Sequence, residues 1–232
     1  MDKKPGERID DLQCGGFGVI QDPAGFCFGV DAVCLANFAA LCPQDHVMDL
    51  CPGSGVIPIL LCAKHPQVQV TGLEIAPEVA DRARRSVAMN GLAHRIRIDD
   101  GDVTTVRAQY AHALFDAVTV NPPYMPATSG VKNQASAKTV ARHEVACTLA
   151  DVVAAAAFLL KPGGRLYMVH RPHRLAEIFC ALRRKRLEPK TLQLVQSGPA
   201  HVPSLVLIEA VDQGRPQLQV LPTKFLDVKE DT

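Results

Sequence analysis

The 232-residue chain contains no tryptophan, and its net charge is close to zero because 25 Lys and Arg residues face 24 Asp and Glu residues. A neutral chain has no overall field that attracts nucleic acid, so any such affinity must come from a local patch. Intrinsic disorder requires low hydrophobicity and high net charge, whereas 47% of these residues are hydrophobic. The composition therefore predicts a folded globular protein.

A long apolar segment is also missing. The longest one, Val145–Leu160, contains Asp151 and is shorter than the roughly 20 residues that cross a bilayer. The segment Met1–Asp10 is charged and has no apolar stretch, which predicts that there is no signal peptide. We therefore expect a cytoplasmic protein with no membrane association.

None of the eight cysteines forms a Cys-x-x-Cys pair. Several lie in apolar runs, where cysteine behaves as a small hydrophobic residue. The eight histidines show no metal-ligand spacing either. We expect buried, reduced thiols, with neither a disulfide framework nor a metal site.

From about residue 46 the chain alternates between β-rich runs and helical stretches. The predicted strands are Val47–Leu50, Val68–Glu74, Arg95–Asp99, Phe115–Val120 and Arg165–His170. The predicted helices between them are Gly55–Lys64, Pro77–Asn90 and Leu149–Leu160. This alternation predicts an α/β fold, in which helices cover both faces of a mostly parallel sheet.

Three segments depart from the alternation. Thr191–Gln196 and Ser204–Val211 are joined by a turn-rich connector, which predicts an antiparallel pair at one edge of the sheet. Residues 5–45 predict a glycine-rich β segment followed by a helix, Asp31–Leu41. Residues 125–148 form a loop long enough to be functional or disordered. We assign residues 1–45 to an N-terminal extension that packs on a core domain of residues 46–232.

A glycine-rich turn, Asp49–Gly55, follows the first strand of this core. Glycine permits a tight turn and a close approach by a ligand, and the following helix presents free N–H groups. Glu74 ends the next strand, where a carboxylate can accept hydrogen bonds from both hydroxyls of a ribose. The candidate ligand-binding residues of these two motifs are Asp49, Cys51, Gly53, Gly55, Glu74 and Ile75.

Two other interpretations of this turn are weaker. A dinucleotide site requires a third glycine for close helix–sheet packing, and the chain has Pro58 there. The Gly-x-Ser-x-Gly pattern of a hydrolase nucleophile is absent around Ser54.

Asp102 follows the third strand of the core. Beside a nucleoside, its carboxylate can accept a hydrogen bond from the exocyclic amine of adenine. Alone, such a residue is more often a helix cap or a solvated side chain. Its place at the carboxyl end of a strand, where ligands of such sheets bind, favours a role in the site.

The fourth strand runs directly into Asn121-Pro122-Pro123-Tyr124. The two prolines fix φ and remove two N–H groups, and Asn121 is restricted to an extended conformation. The result is a stiff turn that holds carbonyl acceptors and two polar side chains at the mouth of the sheet.

With these motifs in this order, the chain resembles the class I S-adenosylmethionine-dependent methyltransferases that methylate amines. It is most similar to the tRNA(Val) adenine-N6-methyltransferases, which modify the adenosine at tRNA position 37, just after the anticodon. The segments that carry this resemblance are Phe28–Val33, Asp49–Gly55, Asn121–Tyr124, Arg142–Val145, Val169–Pro172 and Arg186–Lys190. One departure is Pro52, where that family often has Gly or Ser; it affects the turn and leaves the chemistry intact.

The resemblance implies a Rossmann-like fold with a mostly parallel seven-stranded sheet and S-adenosylmethionine as the cofactor. It implies that Asn121 and Pro122 accept hydrogen bonds from the target amine and that Tyr124, held by Pro123, stacks on the base. Asn121 would also lie against the cofactor. Asp31 and Phe28 would belong to the cofactor wall, although Asp31 is also placed to cap the helix that follows it.

The resemblance also implies a tRNA partner and no metal. Basic residues near the turn are candidates for RNA contacts: Lys132, Lys138, Arg142, His143 and Arg171. Between Lys161 and Lys190, nine Lys and Arg residues face two Glu residues. The run Arg183–Arg186 in this stretch is either part of the RNA contact or the solvated end of a helix.

Four other functions remain open at this point. Glutamine N5-methyltransferases share the Asn-Pro-Pro-Tyr motif but usually carry a helical domain before the glycine turn, for which only 48 residues precede Asp49. DNA adenine methyltransferases generally need a target-recognition domain, for which there is no spare length. A small-molecule methyltransferase would not need a basic surface, and a catalytically inactive S-adenosylmethionine-binding regulator would not need an intact Asn121–Tyr124.

Overall fold

The computed structural model describes residues 3–25, 27–122 and 147–226. Within these ranges the strands are β1 (Arg8–Asp11), β2 (Gly18–Gln21), β3 (His46–Leu50), β4 (Gln69–Glu74), β5 (Ile96–Asp100), β6 (Phe115–Val120), β7 (Leu160–His170), β8 (Leu187–Gln196), β9 (Leu205–Asp212), β10 (Gln219–Val220) and β11 (Lys224–Phe225). The α-helices are α1 (Val30–Phe38), α2 (Val56–Lys64), α3 (Pro77–Met89), α4 (Val106–Gln109), α5 (Leu149–Leu159) and α6 (Leu175–Arg184). Two single 3-10 turns are Val103–Thr105 and Pro172–Arg174.

One large sheet organises the chain, with the strand order β10-β8-β9-β7-β6-β3-β4-β5. Strands β3 to β7 are parallel, and β9 runs antiparallel to both β7 and β8. This confirms the predicted α/β class, the mostly parallel sheet and the antiparallel hairpin. The sheet has nine strands and not the expected seven, because the two-residue strands β10 and β11, which were not predicted, pair in parallel with β8.

Helices cover both faces of this sheet, as the alternation predicted. Val47 and Ala117 contribute to one apolar cluster, which includes buried residues of α1, α2 and α3. Their neighbours Met48 and Val118 contribute to the other cluster, which includes buried residues of α5 and α6. Because side chains alternate along a strand and the described residues fill both faces, the ends of the strands are the places to look for a ligand site.

The segment before β3 forms a β1–β2 hairpin and helix α1. The hairpin is attached to α3: the Ile20 N–H donates to Ser86 Oγ at 3.0 Å, and Asn90 exchanges two hydrogen bonds with Gly18. Glu7 receives two hydrogen bonds from the Arg85 guanidinium, at 2.7 and 2.6 Å. Mainly because of this contact, the pKa of Glu7 falls to about 2.

The parallel strands β3 to β7 all end at the same side of the sheet, which we call the carboxyl edge. Ligands of open α/β sheets bind there, in the crevice outside the strand ends. The residues at or just beyond these ends are Cys51, Glu74, Asp100, Asn121 and His170.

Candidate active site

The glycine turn at the end of β3 has three residues with left-handed backbone: Cys51 (φ +63°), Gly53 (φ +57°) and Gly55 (φ +91°). The Gly55 N–H donates to the Pro52 carbonyl at 3.0 Å and closes the turn. A β-carbon at Gly53 would meet nothing within 4 Å, whereas one at Gly55 would lie 3.5 Å from Ala83 of α3. Gly53 therefore opens the backbone to a ligand, and Gly55 accommodates the neighbouring helix.

Pro52, the departure from the expected pattern, is packed against the next strand. A β-carbon on Gly72 of β4 would lie 2.9 Å from Pro52 Cγ. Proline at this turn is thus accommodated by glycine on the adjacent strand, and the turn keeps its left-handed residues.

Glu74 connects the end of β4 to the glycine turn. Its Oε2 accepts from the Gly53 N–H and its Oε1 from the Ala76 N–H, both at 3.1 Å. The residue is 3% exposed. Two bonds from backbone groups fix the orientation of a carboxylate at the centre of the carboxyl edge, next to Ile75, an exposed apolar side chain.

Asp49 is completely buried beneath the turn. Thr119 Oγ1 donates to Asp49 Oδ1 at 2.6 Å, and Asp49 Oδ2 has no hydrogen-bond partner among the described residues. Burial raises the pKa of Asp49 to about 8, and the nearby Glu74 acts in the same direction. A buried carboxyl oxygen without a hydrogen-bond partner is costly, so this position favours a ligand that brings a polar or positively charged group.

Cys51 lies near Cys147, which comes just before α5. The interaction between the two thiols, together with burial, raises the pKa of Cys51, and the same interaction lowers the pKa of Cys147. The eight cysteines are all free thiols. No group of three or more His, Cys, Asp and Glu residues in the described ranges is placed to hold a metal ion.

Asp102 caps the 3-10 turn that follows β5, because its Oδ1 accepts from the Thr104 N–H at 2.7 Å. The capping role considered for this residue is therefore present in the fold. The residue also lies at the carboxyl edge, two residues beyond the end of β5, which pairs with the strand that Glu74 ends.

Asn121 and Pro122 follow β6 directly, between the glycine turn of β3 and the end of β7. Asn121 is partly exposed and Pro122 is buried. The sheet therefore places the start of the Asn-Pro-Pro-Tyr motif next to the glycine turn. The predicted site residues Pro123, Tyr124, Lys132, Lys138, Arg142 and His143 lie outside the described residues.

The expectation that Asp31 caps a helix beginning at residue 32 is wrong. Helix α1 begins at Val30 with Gly29 as its N-cap, so Asp31 lies within the first turn. Its Oδ1 accepts from the adjacent Ala32 N–H at 2.9 Å. A carboxylate in the first turn still suits the positive end of the helix dipole.

The basic residues are divided between the two ends of the sheet. Arg171 follows β7 at the carboxyl edge, where its Nη1 donates to the Ser204 carbonyl at 3.2 Å. Arg183–Arg186 end helix α6 and precede β8, whose first residue pairs with Asp212 at the end of β9. That run therefore lies at the opposite edge of the sheet.

Sequence reasoning missed three residues near the carboxyl edge. Thr119 is the partner of Asp49, and Gln21 contacts the glycine turn. His170 is 1% exposed, and burial lowers its pKa to about 4; its Nδ1 accepts from the Arg171 N–H at 2.7 Å. For Thr119 and Gln21 the only available signal was a polar residue inside a β-rich run, which does not reveal its partner. His170 lies in the segment Val169–Pro172, which carries the family resemblance, but no role was assigned to it.

No helix of the described ranges has the length and apolar character needed to cross a membrane. The model of the methyltransferase small domain family matches residues 30–184. A protein of Porphyromonas gingivalis named tRNA1(Val) (adenine(37)-N6)-methyltransferase is 30% identical over 200 residues, which cover 83% of this chain and 77% of that one. A protein of the same name from a Shewanella species is 28% identical and covers 78% of this chain and 71% of its own length.

The fold is also found among solved structures. A predicted O-methyltransferase from Agrobacterium tumefaciens superimposes with a TM-score of 0.71 at 24% identity, over 87% of this chain and 89% of that one. At this identity the likeness supports the fold alone.

Proposed function

This chain belongs to the methyltransferase small domain family, and on that premise we propose that it transfers a methyl group from S-adenosylmethionine to the N6 amine of an adenosine in tRNA. The observation that carries the proposal is the position of Asn121 and Pro122. They lie at the end of β6, next to the glycine turn of β3.

The residues at the carboxyl edge fit the proposed cofactor. S-adenosylmethionine supplies an electrophilic methyl group on a sulfonium, together with a ribose, an adenine and a charged amino group. Gly53 leaves the backbone open to a ligand, and Asp49 has a buried oxygen without a partner among the described residues. Glu74 would accept from the ribose hydroxyls, with Ile75 and Asp102 beside the adenine.

The chemistry then depends on how the turn holds the target amine. The lone pair of the adenine N6 amine is delocalised into the ring, which makes it a poor nucleophile. Asn121 Oδ1 and the Pro122 carbonyl would accept the two amine protons and direct the lone pair towards the methyl group. Neither group is a strong base, so positioning and electrostatics would supply most of the rate enhancement.

The same turn would also position the target base of the substrate. Tyr124 would stack on the target base, a contact worth roughly 1–3 kcal/mol. An anticodon-loop adenosine is already unpaired, so exposing it costs less than flipping a base out of a duplex. We therefore propose the adenosine at tRNA position 37, the site in the names of the relatives, as the target. A tRNA substrate also supports the proposal that the protein acts in the cytoplasm.

Incubation with labelled S-adenosylmethionine and bulk tRNA, bulk DNA or a release factor tests the proposal. We expect label in tRNA alone, and nucleoside analysis should identify N6-methyladenosine. Label in DNA or in a glutamine side chain would contradict the tRNA assignment. The site is located by comparing tRNA from a deletion strain with tRNA from the parent, which should differ at one adenosine after the anticodon.

A further inference from the structure

Gln21 is a buried polar residue that the proposed chemistry does not use. It ends strand β2 and is 1% exposed. Its Nε2 donates to Ser54 Oγ and to the Ile20 carbonyl, and its Oε1 accepts from the Phe28 N–H at 3.1 Å. One side chain of the N-terminal hairpin therefore connects the glycine turn to the segment that precedes α1.

The glycine turn has reason to need such an anchor. Ser54 lies between two left-handed glycines, Gly53 and Gly55, and glycine loses more conformational freedom on ordering than any other residue. Glu74 fixes one side of the turn through the Gly53 N–H. Gln21 holds the other side, through the hydroxyl of Ser54.

The β1–β2 hairpin that carries Gln21 is held in place by several contacts. Three sets of contacts attach the hairpin and the residue before it to α3 and its C-cap, through Ile20–Ser86, Gly18–Asn90 and Glu7–Arg85. Helix α3 also lies against Gly55, where an added β-carbon would be 3.5 Å from Ala83. The hairpin and the turn thus share one support, so Gln21 can transmit the position of the hairpin to Ser54.

We propose that Gln21 is a positioning residue for the cofactor site, which holds Ser54 and the Phe28 backbone in the arrangement that receives S-adenosylmethionine. The N-terminal hairpin is then part of the cofactor-binding machinery and more than a cover for the core. This inference rests on the proposed cofactor.

The test is a double-mutant cycle in the dissociation constant of S-adenosylmethionine, measured by calorimetry on the full chain. Gln21→Met keeps the length of the side chain and removes its hydrogen bonds. We expect it to weaken binding about tenfold, the effect of losing one or two ordinary hydrogen bonds. Ser54→Ala removes only the bond to the turn and should weaken binding by the same factor or less, and the double variant should bind no more weakly than Gln21→Met alone.

Asn90→Ala is the matched control. It removes two hydrogen bonds between the same hairpin and α3 but touches neither Gln21 nor the turn. We expect it to lower the thermal unfolding temperature of the ligand-free protein and to weaken S-adenosylmethionine binding less than Gln21→Met does, because it loosens one support of the hairpin but leaves the bond between Gln21 and Ser54 in place. If it weakens cofactor binding as much as Gln21→Met does, the effect belongs to the docking of the hairpin, and the positioning role is refuted.

Two further results would also overturn the inference. Wild-type affinity for S-adenosylmethionine in both single variants would refute the inference. If the losses of affinity in the two single variants add up in the double variant, Gln21 does not act through Ser54. If Gln21→Met does not fold, Ser54→Ala tests the same contact from its other partner. Unchanged S-adenosylmethionine affinity in Ser54→Ala would then refute the inference. Failure of the wild-type chain to bind S-adenosylmethionine would instead refute the proposed cofactor, and this inference with it.

Discussion

The Thr119 hydroxyl donates to Asp49 Oδ1 at 2.6 Å, so that the ends of the two central strands share one buried hydrogen bond. The two residues are direct partners in the β3–β6 register. The strand with the glycine turn is thereby joined to the strand that carries Asn121. The proposed cofactor site and the proposed site of the amine therefore lie directly above one hydrogen-bonded pair of residues.

The first prediction concerns the pH dependence of stability in the ligand-free protein. Asp49 has a pKa of about 8 when folded, against an ordinary value near 3.8, so the folded state retains a proton that the unfolded state has lost. Its contribution to stability is present below about pH 4 and is lost as the pH rises to about 8. Asp49→Asn removes this contribution while keeping an acceptor for Thr119.

Urea unfolding of both proteins at several pH values between 5 and 8 checks this. As the pH rises, the unfolding free energy of the wild-type protein should fall relative to that of Asp49→Asn. The change is at most about 1.4 kcal/mol per pH unit, since one proton is involved. Parallel pH profiles for the two proteins would show that Asp49 is ionised in the fold.

The core of the fold could be predicted from sequence because its strands are buried. The run Phe115–Val120 has the same bounds in the structure, and each strand end that carries a candidate residue lies within about one residue of its predicted place. Strands β10 and β11 have two residues each and no hydrophobic pattern. Their pairing with β8 depends on tertiary contacts alone, so it could not be predicted.

Sequence patterns predicted candidate site residues only where those residues lie at the ends of strands. Glu74 ends one buried strand and Asn121 follows another, and the parallel topology brings them to one edge. Gln21 and Thr119 are polar residues in β-rich runs, and their partners Ser54 and Asp49 are distant in sequence. The start of α1 was wrong because Gly29 and Asp31 are both acceptable N-cap residues, and local sequence does not choose between them.

The second prediction concerns Glu74. Replacement by alanine removes the proposed ribose acceptor and the bond to the Gly53 N–H that orients the turn. Losing two hydrogen bonds to a charged acceptor costs a few kcal/mol, so the dissociation constant of S-adenosylmethionine should rise about tenfold to hundredfold. Titration calorimetry measures this directly.

Asp116→Ala is the control for this variant. Asp116 lies near the start of β6, at the opposite edge of the sheet, where it pairs with Lys161 at 2.6 Å. Its loss should leave cofactor affinity unchanged. Unchanged affinity in Glu74→Ala as well would remove Glu74 from the cofactor site.

The third prediction separates chemistry from cofactor binding at Asn121. Asn121→Ala should abolish methyl transfer to tRNA, because its side-chain oxygen is proposed to accept from the target amine. The affinity for S-adenosylmethionine should be largely retained. Single-turnover assays with calorimetry on the same sample report both quantities, and near-normal transfer would show the proposed amine mechanism to be wrong.

Tyr124 provides a related comparison on the substrate side. Stacking needs the ring and not the hydroxyl, so Tyr124→Phe should have a mild effect on transfer and Tyr124→Ala a severe one. Equal losses in the two variants would assign the role to the hydroxyl instead.

The last prediction uses the division of basic residues between the two edges of the sheet. Arg171 lies at the carboxyl edge with Asn121, whereas Arg184 belongs to the exposed run at the opposite edge. If tRNA docks over the carboxyl edge, Arg171→Ala should raise the dissociation constant for tRNA. Each lost phosphate contact should also flatten its dependence on salt by about one unit of the log–log slope.

Arg184→Ala removes the same type of side chain, and it should bind tRNA like the wild-type protein across the same salt series. S-adenosylmethionine affinity and thermal unfolding should be unchanged in Arg184→Ala, and the affinity should be unchanged in Arg171→Ala. The proposed loop contacts are tested in the same way by replacing Lys132, Lys138 and Arg142 together. If Arg184→Ala loses as much tRNA affinity as Arg171→Ala does, tRNA docking is not confined to the carboxyl edge. A phosphate bound by Arg184 cannot belong to the nucleotide whose base reaches Asn121, so such a result would mean that the docking surface extends to the opposite edge.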